Sequence, residues 1–155
     1  MGRQDEGEKI VASNRRARHD YELLEHFECG IQLTGDEVKS LREGRASLVD
    51  CYGRVRGSEV WLEGLHIPPY EQGDKRTHLP LRPRKLLLHR REIDLIAREV
   101  NEKGLSLVPL RIYFTHGMAK VEVALARGKR KYEKRQSIAK REAQREMERA
   151  AGRRR

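Results

Sequence analysis

The segment spanning residues 21–44 constrains the fold most, because its apolar pattern changes period within a few residues. Apolar and polar side chains alternate between Tyr21 and Leu33, which predicts an extended strand. Thr34 and Gly35 then break the alternation. A strand followed at once by a turn and a new element would hold that element at a fixed angle and could present it to a ligand.

A short helix is predicted directly after this strand. Thr34 is a suitable N-cap, and Glu37 stands three residues later, as in a capping box. Val38 and Leu41 recur on one face, and Gly44 supplies a stop. The sequence therefore predicts a capped helix that begins at the turn and ends before Gly44.

Chain length and hydropathy limit the architecture. The chain has 155 residues, enough for one domain with a modest core and an appendage. It has no apolar run near the roughly 18 residues needed to span a membrane, and its first residues do not resemble a secretory signal. We therefore expect a cytoplasmic protein without a membrane partner. Cys29 and Cys51 lack the spacing of metal ligands or of a disulfide framework, so we expect two reduced thiols that lie in the core or are half-buried.

Positive charge is concentrated at the carboxyl end. The chain carries a formal charge of +10, and residues 127–155 contain 13 lysines or arginines against 4 acids, whereas residues 1–126 contain 21 against 20. We interpret residues 1–126 as a folded body and residues 127–155 as a basic tail, disordered when free and helical where phosphates neutralise it. This distribution favours nucleic acid as the partner; the alternative is a tail that only keeps a small protein soluble.

Short antiparallel strands dominate the rest of the body. Alternating segments predict two hairpins, one from Leu48–Val55 and Val60–Ile67 and the other from Leu105–Phe114 and Met118–Ala126. The helical spacing within Arg84–Lys103 predicts one long helix that plugs or covers the barrel. This inventory is mainly β with helices, and it favours an antiparallel β-barrel of the oligonucleotide-binding (OB) kind with surface helices and a basic C-terminal tail.

Trp61 is the single tryptophan and falls in the second strand of the first hairpin. Its sequence neighbours include no cation and no second aromatic residue, which a base-stacking site would favour. We therefore expect Trp61 to cover one end of the core.

A compact group of hydrogen-bond donors precedes the long strand. Asn14, Arg15, Arg16, Arg18 and His19 fall within six positions. Arginine and asparagine side chains bind phosphate oxygens and base edges, and a histidine ring can stack on a base. The segment therefore predicts a nucleic-acid contact, with a solvated turn of mixed charge as the alternative.

The sequence offers no catalytic constellation. It contains no nucleophile elbow, phosphate-cradling glycine loop, HExxH or CxxC pair, and its six histidines lack ligand spacing. Asp36 and Glu37 are adjacent acids, but neighbours on a helix point about 100° apart, and acids stabilise a helix N-terminus. We therefore expect a binding protein without catalytic residues, bound metal or cofactor.

Five motifs, in their order and spacing, resemble the SsrA-binding protein (SmpB) family, and the likeness covers nearly the whole chain. The motifs are Asn-Arg-Arg-Ala-Arg-His-Asp-Tyr (14–21), Phe-Glu-Cys-Gly-Ile (27–31), Gly-Asp-Glu-Val-Lys-Ser-Leu-Arg (35–42), Arg-Lys-Leu-Leu-Leu (84–88) and the basic run 128–135. Each motif alone is unspecific, whereas all five in one chain of this length are specific.

The resemblance implies a function as well as a fold. It implies an OB-type β-barrel that binds the tRNA-like domain of transfer-messenger RNA. In the family, this complex rescues ribosomes stalled on messages that lack a stop codon, and elongation factor Tu delivers the alanylated RNA. The protein takes the place of the missing anticodon arm, and its tail enters the empty mRNA channel near the decoding centre. We expect this chain to do the same as a monomer.

The resemblance also assigns residues to the two RNA partners, and the donor cluster adds Arg16 and His19. The residues expected to contact transfer-messenger RNA are Asn14, Arg15, Arg16, His19, Glu28 and Leu87. Those expected to contact small-subunit ribosomal RNA are Lys129, Arg130, Lys131, Tyr132, Lys134 and Arg135. Glu28 can accept hydrogen bonds from guanine, Leu87 offers an apolar surface to an unstacked base, and Tyr132 can stack. An ordinary surface or core role is the alternative for each.

Two other classes of protein compete with this interpretation. A structural ribosomal protein would also combine a small barrel with a basic extension, but it would be present on all ribosomes. A rescue factor would instead be enriched on stalled ribosomes together with one small RNA. An enzyme that acts on RNA is a more distant alternative, with Asp36 and Glu37 as its candidate residues.

Overall fold

A computed structural model gives the structure of the chain and describes residues 8–74, 76, 78–129 and 131–153, with the side chains of residues 131–139 and 153 outside the description. The strands in these residues are β1 (Glu8–Ser13), β2 (Tyr21–Ile31), β3 (Tyr52–Arg56), β4 (Glu59–Glu63), β5 (Arg84–Leu87), β6 (Ser106–Thr115) and β7 (Met118–Gly128). The helices are α1 (Ala17–Asp20), α2 (Gly35–Arg42), α3 (Arg90–Lys103) and α4 (Lys131–Arg153). The predicted class, mainly β with helices, is confirmed.

The strands form a closed antiparallel ring. Their order is β1-β6-β3-β4-β5-β2-β7, and β7 also pairs with β6, which closes the ring. The long strand β6 pairs with β7 along one edge and with both β1 and β3 along the other. Closure leaves few strand edges unpaired, and the ring is compatible with the predicted OB-type barrel.

The core fills the inside of the ring. Successive side chains of a strand lie on opposite faces, so every second residue points inward. Large buried apolar side chains of this core are Leu41, Leu62, Leu65, Ile67, Leu86, Ile96, Ile112 and Leu125. Ile96 belongs to α3, so this helix covers the core, as its helical spacing predicts.

The hairpin between β6 and β7 closes as predicted. His116 and Gly117 form its tip, with φ values of 50° and 75°. Two successive residues with positive φ are typical of a type I′ turn, whose twist matches that of antiparallel strands. This hairpin contains Arg111 and Tyr113 on β6 and Glu122 on β7.

The predicted cap of α2 is present. The Glu37 N–H donates to Thr34 Oγ1 over 3.3 Å, and the Thr34 N–H donates to Glu37 Oε1 over 2.9 Å. Capping accounts for Glu37 at this position, as the sequence predicts.

Glu37 has a second role that the sequence did not reveal, in a buried ion pair. Glu37 is 2% exposed and Arg84 is fully buried. Arg84 reaches Glu37 Oε2 over 2.5 Å, and its Nη1 donates to Leu65 O over 2.6 Å. Burial raises the pKa of Glu37, but the hydrogen bonds from Arg82 and Thr34 and the charge of Arg84 outweigh burial and lower it. The ion pair fixes α2 against β5.

The prediction of one helix over Arg84–Lys103 is wrong at its beginning. The first four residues form β5, and α3 begins three residues after β5 ends. Leu86 pairs with Val60 of β4 and with Ile31 of β2. Pairing with two strands overrides the helical propensity of the leucine run. Because side chains alternate along a strand, Leu86 is buried while Leu87 is 51% exposed.

The first predicted hairpin exists but is shorter than Leu48–Val55 and Val60–Ile67. Its strands, β3 and β4, have five residues each. Gly64 follows β4 with φ 82°, and a Cβ at this position would lie 2.7 Å from the carbonyl oxygen of Asp50. The close approach of these two backbone segments ends the regular pairing of the hairpin.

Trp61 lies outside the core, contrary to the prediction. Val60 and Leu62 are fully buried, so Trp61 between them points to the outer face. The guanidinium of Arg56 lies 5.6 Å from the centroid of the indole. A cation from the neighbouring strand therefore covers Trp61, although its sequence neighbours include none.

The last strand ends close to the expected boundary between body and tail, which stays a prediction. β7 continues to Gly128, two residues beyond the expected end of the body, and α4 begins at Lys131. The side chains of α4 from Lys140 to Gly152 are exposed. Disorder of the tail in the free protein stays a prediction.

Candidate nucleic-acid interface

The expected RNA-contacting residues of the body lie on the outside of five adjacent strands, β5, β2, β7, β6 and β1, or in the turn and helix α1 that follow β1. We call this outer surface the candidate face. On β2, the side chains of Phe27, Cys29 and Ile31 enter the core. Alternation therefore leaves Glu28 and Gly30 on the outside of the ring. Glu28 is exposed and is available to a ligand.

Leu87 is brought next to Glu28 by the pairing of β5 with β2. Leu87 stands opposite Gly30 in the register, and Gly30 is two residues from Glu28 on the same face. A Cβ at Gly30 would lie 3.2 Å from Leu87 Cβ, so the missing side chain makes room for the leucine. Two of the predicted contacts, an acid and an exposed apolar side chain, thus form one small surface.

Tyr113 orients Glu28. Its side chain starts on β6, and its hydroxyl donates to Glu28 Oε2 on β2 across the intervening strand β7. Tyr113 is 1% exposed. Burial raises the pKa of Tyr113, and the hydrogen bond to Glu28 and its negative charge raise it further. The hydroxyl therefore remains protonated at neutral pH and acts as a fixed donor to the carboxylate.

Arg111 supports Tyr113 in turn. The guanidinium carbon of Arg111 lies 4.2 Å from the centroid of the Tyr113 ring, within the range of a cation–π contact. Arg111 Nη1 donates to Glu8 Oε2 over 2.9 Å, and its Nε lies 3.5 Å from Glu122 Oε1. A connected set of side chains from three strands, β6, β1 and β7, thus supports Glu28.

Tyr113 and Arg111 are not among the residues predicted from the sequence. Both lie in the segment that was correctly predicted as a strand, and Ile112 and Phe114 beside them enter the core. Strict alternation therefore contained the signal that Arg111 and Tyr113 point outward. The partner of Tyr113 could not be inferred, because it depends on the register of β6, β7 and β2.

Asn14 bonds the segment between β1 and α1 to the backbone of β6. Its Nδ2 donates to Pro109 O over 3.0 Å, and its N–H donates to Leu110 O over 2.7 Å. One amide hydrogen of the predicted RNA contact is thus used within the protein. Asn14 therefore positions Arg15 on the edge of β6.

The rest of the donor cluster is presented by α1. Ala17 is 2% exposed and packs with Val108 and Ala126 against the outside of β6 and β7. Arg15 and Arg16 precede this anchor and are exposed. His19 Nδ1 lies 2.9 Å from Asp20 Oδ1, so the ring is held at the surface by its neighbour. Both arginines therefore face solvent, where a ligand can reach them.

The six predicted body residues form two groups on the outside of the ring. Glu28 and Leu87 form the first group, and Asn14, Arg15, Arg16 and His19 form the second. Asn14 bonds to the edge of β6 that faces away from β7, so three strand spacings separate it from Glu28. At about 4.8 Å each, these spacings give roughly 14 Å. One folded RNA can span that distance.

The predicted tail residues begin beside the second group. The Lys129 N–H donates to Asp20 O over 3.0 Å, and Lys129 Nζ donates to Arg18 O over 2.9 Å. Arg130 lies outside the described residues. Lys131, Tyr132, Lys134 and Arg135 lie in the first turns of α4, and their side chains are outside the description. The root of the tail is thus attached to α1.

The described part of the chain contains no group of three or more histidines, cysteines or acids that could hold a metal ion. None of its helices combines the length and the apolar character needed to cross a membrane. What the candidate face does contain is a charged and apolar surface suited to binding.

Comparison with known proteins identifies the family. The profile of the family described as "SmpB protein" matches residues 11–153. The SsrA-binding protein of Salinispora arenicola is 59% identical over 150 residues, covering 97% of this chain and 94% of the relative. The SsrA-binding protein of Thermobifida fusca is 58% identical over 155 residues, covering 99% and 97%.

A solved structure also resembles most of the chain. It is described as "tmRNA-SmpB: a journey to the center of the bacterial ribosome", and one of its chains is 48% identical with a TM-score of 0.65. The match covers 81% of this chain and 92% of that one. Sequence and fold agree, and the chain belongs to the SmpB family of SsrA-binding proteins.

Proposed function

We propose that the chain binds the tRNA-like domain of transfer-messenger RNA (SsrA) and delivers it to stalled ribosomes for trans-translation, as an RNA-binding factor and not as an enzyme. The observation that carries this proposal is the placement of Glu28, which is exposed, held by Tyr113 and adjacent to exposed Leu87. The relatives are named SsrA-binding proteins, which supports this RNA as the ligand. The description of the solved structure names the bacterial ribosome, which supports the ribosome as the second partner.

Glu28 supplies specificity within the proposed interface. A carboxylate repels phosphates, so its presence on an RNA-binding surface requires a compensating contact. It can accept hydrogen bonds from guanine imino and amino groups, which arginine and lysine cannot do. The hydroxyl of Tyr113 fixes the carboxylate before the RNA arrives, which reduces the entropy lost on binding.

The other residues of the candidate face supply affinity. Leu87 offers an apolar surface to a base that has left its stack. Arg15 and Arg16, which follow Asn14 in the chain, bind backbone phosphates, and His19 belongs to the same donor cluster. Phosphate contacts fix the orientation of the RNA, and Glu28 then reads a base.

The tail meets the ribosome in this proposal. Lys129, Arg130, Lys131, Lys134 and Arg135 bind small-subunit ribosomal RNA in the empty mRNA channel. Tyr132 stacks on a base near the decoding centre. The chain acts as a cytoplasmic monomer, and elongation factor Tu associates with it only through the alanylated RNA.

An experiment on purified ribosomes tests this function. Ribosomes carry either a message that ends in the peptidyl site or one that fills the mRNA channel, and binding of the full chain with the tRNA-like RNA is measured. We expect preference for the empty channel, and loss of this preference in Lys134→Ala/Arg135→Ala. The matched control, Arg91→Ala/Arg98→Ala, removes two exposed cations from α3 and is expected to keep it.

The same experiment distinguishes a rescue factor from a structural ribosomal protein. A structural ribosomal protein would bind both kinds of ribosome equally and would not need the small RNA. That result would reject the rescue function for this chain and favour a constitutive place in the ribosome.

A further inference from the structure

A cationic cleft lies between α1 and α4, outside the group formed by Glu28 and Leu87. On the body side it is lined by Arg15, Arg18 and His19, and Lys129 closes it at the root of the tail. On the tail side it is lined by Lys140, Arg141 and Gln144. The cleft has a volume of about 510 Å³, enough for a small polar group.

The charge of this cleft favours an anion. Five of the seven described residues that line it are lysine or arginine, and none of these seven is acidic. Like charges that converge from two elements repel one another, and the repulsion favours separation of α4 from α1 unless an anion lies between them. The two walls of this cationic cleft therefore belong to different parts of the chain, α1 with Lys129 on one side and α4 on the other.

The lining residues favour phosphate among anions. Arginine presents a planar fork of N–H donors that matches phosphate oxygens, lysine adds a compact charge, and the glutamine amide adds a neutral donor. Two hydrogen bonds from Lys129 hold the root of the tail on α1 at 2.9 and 3.0 Å. The side of the cleft that carries α1 is thus built before any ligand binds.

We propose that the cleft between α1 and α4 clamps a backbone phosphate of the same RNA that binds the candidate face, so that RNA binding fixes the position of the tail helix. This inference rests on the proposed RNA binding and extends it to α4. The cations of α1 bind the RNA from the body, and Lys140 and Arg141 bind the same strand from the tail. The RNA, and not only the ribosome, thereby holds α4 in place.

A distance measurement on the full chain tests the clamp. Nitroxide labels are attached to Glu25→Cys on β2 and Glu148→Cys on α4, both exposed positions. The native thiols do not interfere, because Cys29 is fully buried and Cys51 is 7% exposed. Electron–electron double resonance then gives the distribution of distances between body and tail, with and without a tRNA-like RNA fragment whose affinity is measured first.

The cleft variant is Lys140→Glu/Arg141→Glu. The matched control, Arg145→Glu/Arg149→Glu, makes the same change of charge on α4 at positions that do not line the cleft. We expect the RNA to narrow the distance distribution in the parent protein and in the control but not in the cleft variant. The cleft variant is also expected to lose about tenfold in affinity and to show a shallower salt dependence, because phosphate contacts are lost.

Three results would overturn the clamp. The first is tight binding of the RNA with an unchanged distance distribution, which leaves the proposed function intact. The second is an equal effect of the cleft and control variants, which indicates general charge. The third is equal narrowing by inorganic phosphate at matched ionic strength, which indicates a site for free anions. Failure of the parent protein to bind the fragment at all would contradict the proposed function as well.

Discussion

Leu87 lies across Gly30, and a Cβ at Gly30 would approach Leu87 Cβ to 3.2 Å. Glu28 and Gly30 both lie on β2, so the pairing of Leu87 with Gly30 brings an exposed leucine of β5 next to Glu28. The relationship depends on strand pairing, so it is fixed by the fold and not by the local sequence of either segment. Leu87, within the run of three leucines, thereby becomes part of the proposed binding surface.

Replacement of Leu87 by alanine separates binding from stability. Leu87 is 51% exposed, so we expect Leu87→Ala to lower the free energy of unfolding by less than about 1 kcal/mol. Covering the exposed half of a leucine side chain with a base contributes about 1 kcal/mol, so affinity for the tRNA-like RNA is expected to fall about fivefold. Filter binding and chemical denaturation measure the two effects.

Leu81→Ala is the matched control for this test, because Leu81 is 59% exposed and lies in the loop before β5. It is expected to leave RNA affinity unchanged. Equal affinities of Leu87→Ala and the parent protein would remove Leu87 from the interface.

The Tyr113 hydroxyl is expected to act on RNA binding through Glu28. Tyr113→Phe keeps the ring under Arg111 but releases the carboxylate, so we expect RNA affinity to fall severalfold. In the Glu28→Gln background the same change is expected to have little further effect, since interacting residues are not additive. A double-mutant cycle of RNA affinities measures this coupling.

Tyr52→Phe is the control for the Tyr113 experiment. The Tyr52 hydroxyl also donates to a carboxylate, Glu63 Oε2, over 2.9 Å, but on β3 and β4. Its removal is expected to leave RNA affinity unchanged. Fully additive effects of Tyr113→Phe and Glu28→Gln would show that the hydroxyl does not act through Glu28.

Features formed by neighbouring residues could be predicted from the sequence, whereas features formed by distant segments could not. The capping box of Thr34 and Glu37 lies within four residues and was predicted correctly, as was the hairpin tip at His116. β5 was mistaken for the start of a helix because its partners come from distant segments of the chain. Periodicity cannot report such pairing when the strand has only four residues.

The candidate site shows the same limit. Motifs that resemble the family pointed to Glu28 and Leu87, but not to Tyr113, which holds Glu28 from a strand two positions away in the ring. Arg56 over Trp61 is a further contact made across strands. Residues that touch a ligand can carry a motif, whereas residues that position them are found only through the register.

Loss of the Glu37 charge is expected to destabilise the fold in a pH-dependent way. The pKa of Glu37 in the folded state lies below its ordinary value of 4.5. Its stabilising contribution is therefore complete above that value and is lost as the pH falls through the lower folded-state pKa. Glu37→Gln leaves Arg84 buried without its partner, so we expect a loss of about 3–5 kcal/mol at pH 7.

The difference in the free energy of unfolding between Glu37→Gln and the parent protein should become smaller as the pH falls below 4.5. Urea denaturation at a series of pH values measures it. Glu92→Gln is the control, because Glu92 Oε1 accepts from the His89 N–H over 3.1 Å at an exposed helix start. Its expected cost is below about 1 kcal/mol. A difference for Glu37→Gln that stays constant with pH would exclude the charge as its cause.

Both native cysteines are expected to resist thiol reagents in the folded protein. Burial raises the pKa of Cys29 and of Cys51 to about 12, so roughly one thiol in ten thousand is ionised at pH 8. Reaction with a chromogenic disulfide is expected to be at least a hundredfold slower in buffer than in denaturant. Ser13→Cys, at an exposed position, provides the fast-reacting control. Rapid reaction of either native thiol would contradict its place in the core.

The most direct test of the proposed function is a comparison of RNA preference. Binding of the full chain and of Glu28→Gln is measured with a tRNA-like fragment of transfer-messenger RNA and with an ordinary tRNA of equal length, at two salt concentrations. We predict that the parent protein prefers the tRNA-like fragment at both salts, and that Glu28→Gln keeps salt-dependent binding but loses the preference. Equal binding of both RNAs by the parent protein, or a preference unaffected by Glu28→Gln, would contradict the role of the candidate face as the RNA reader.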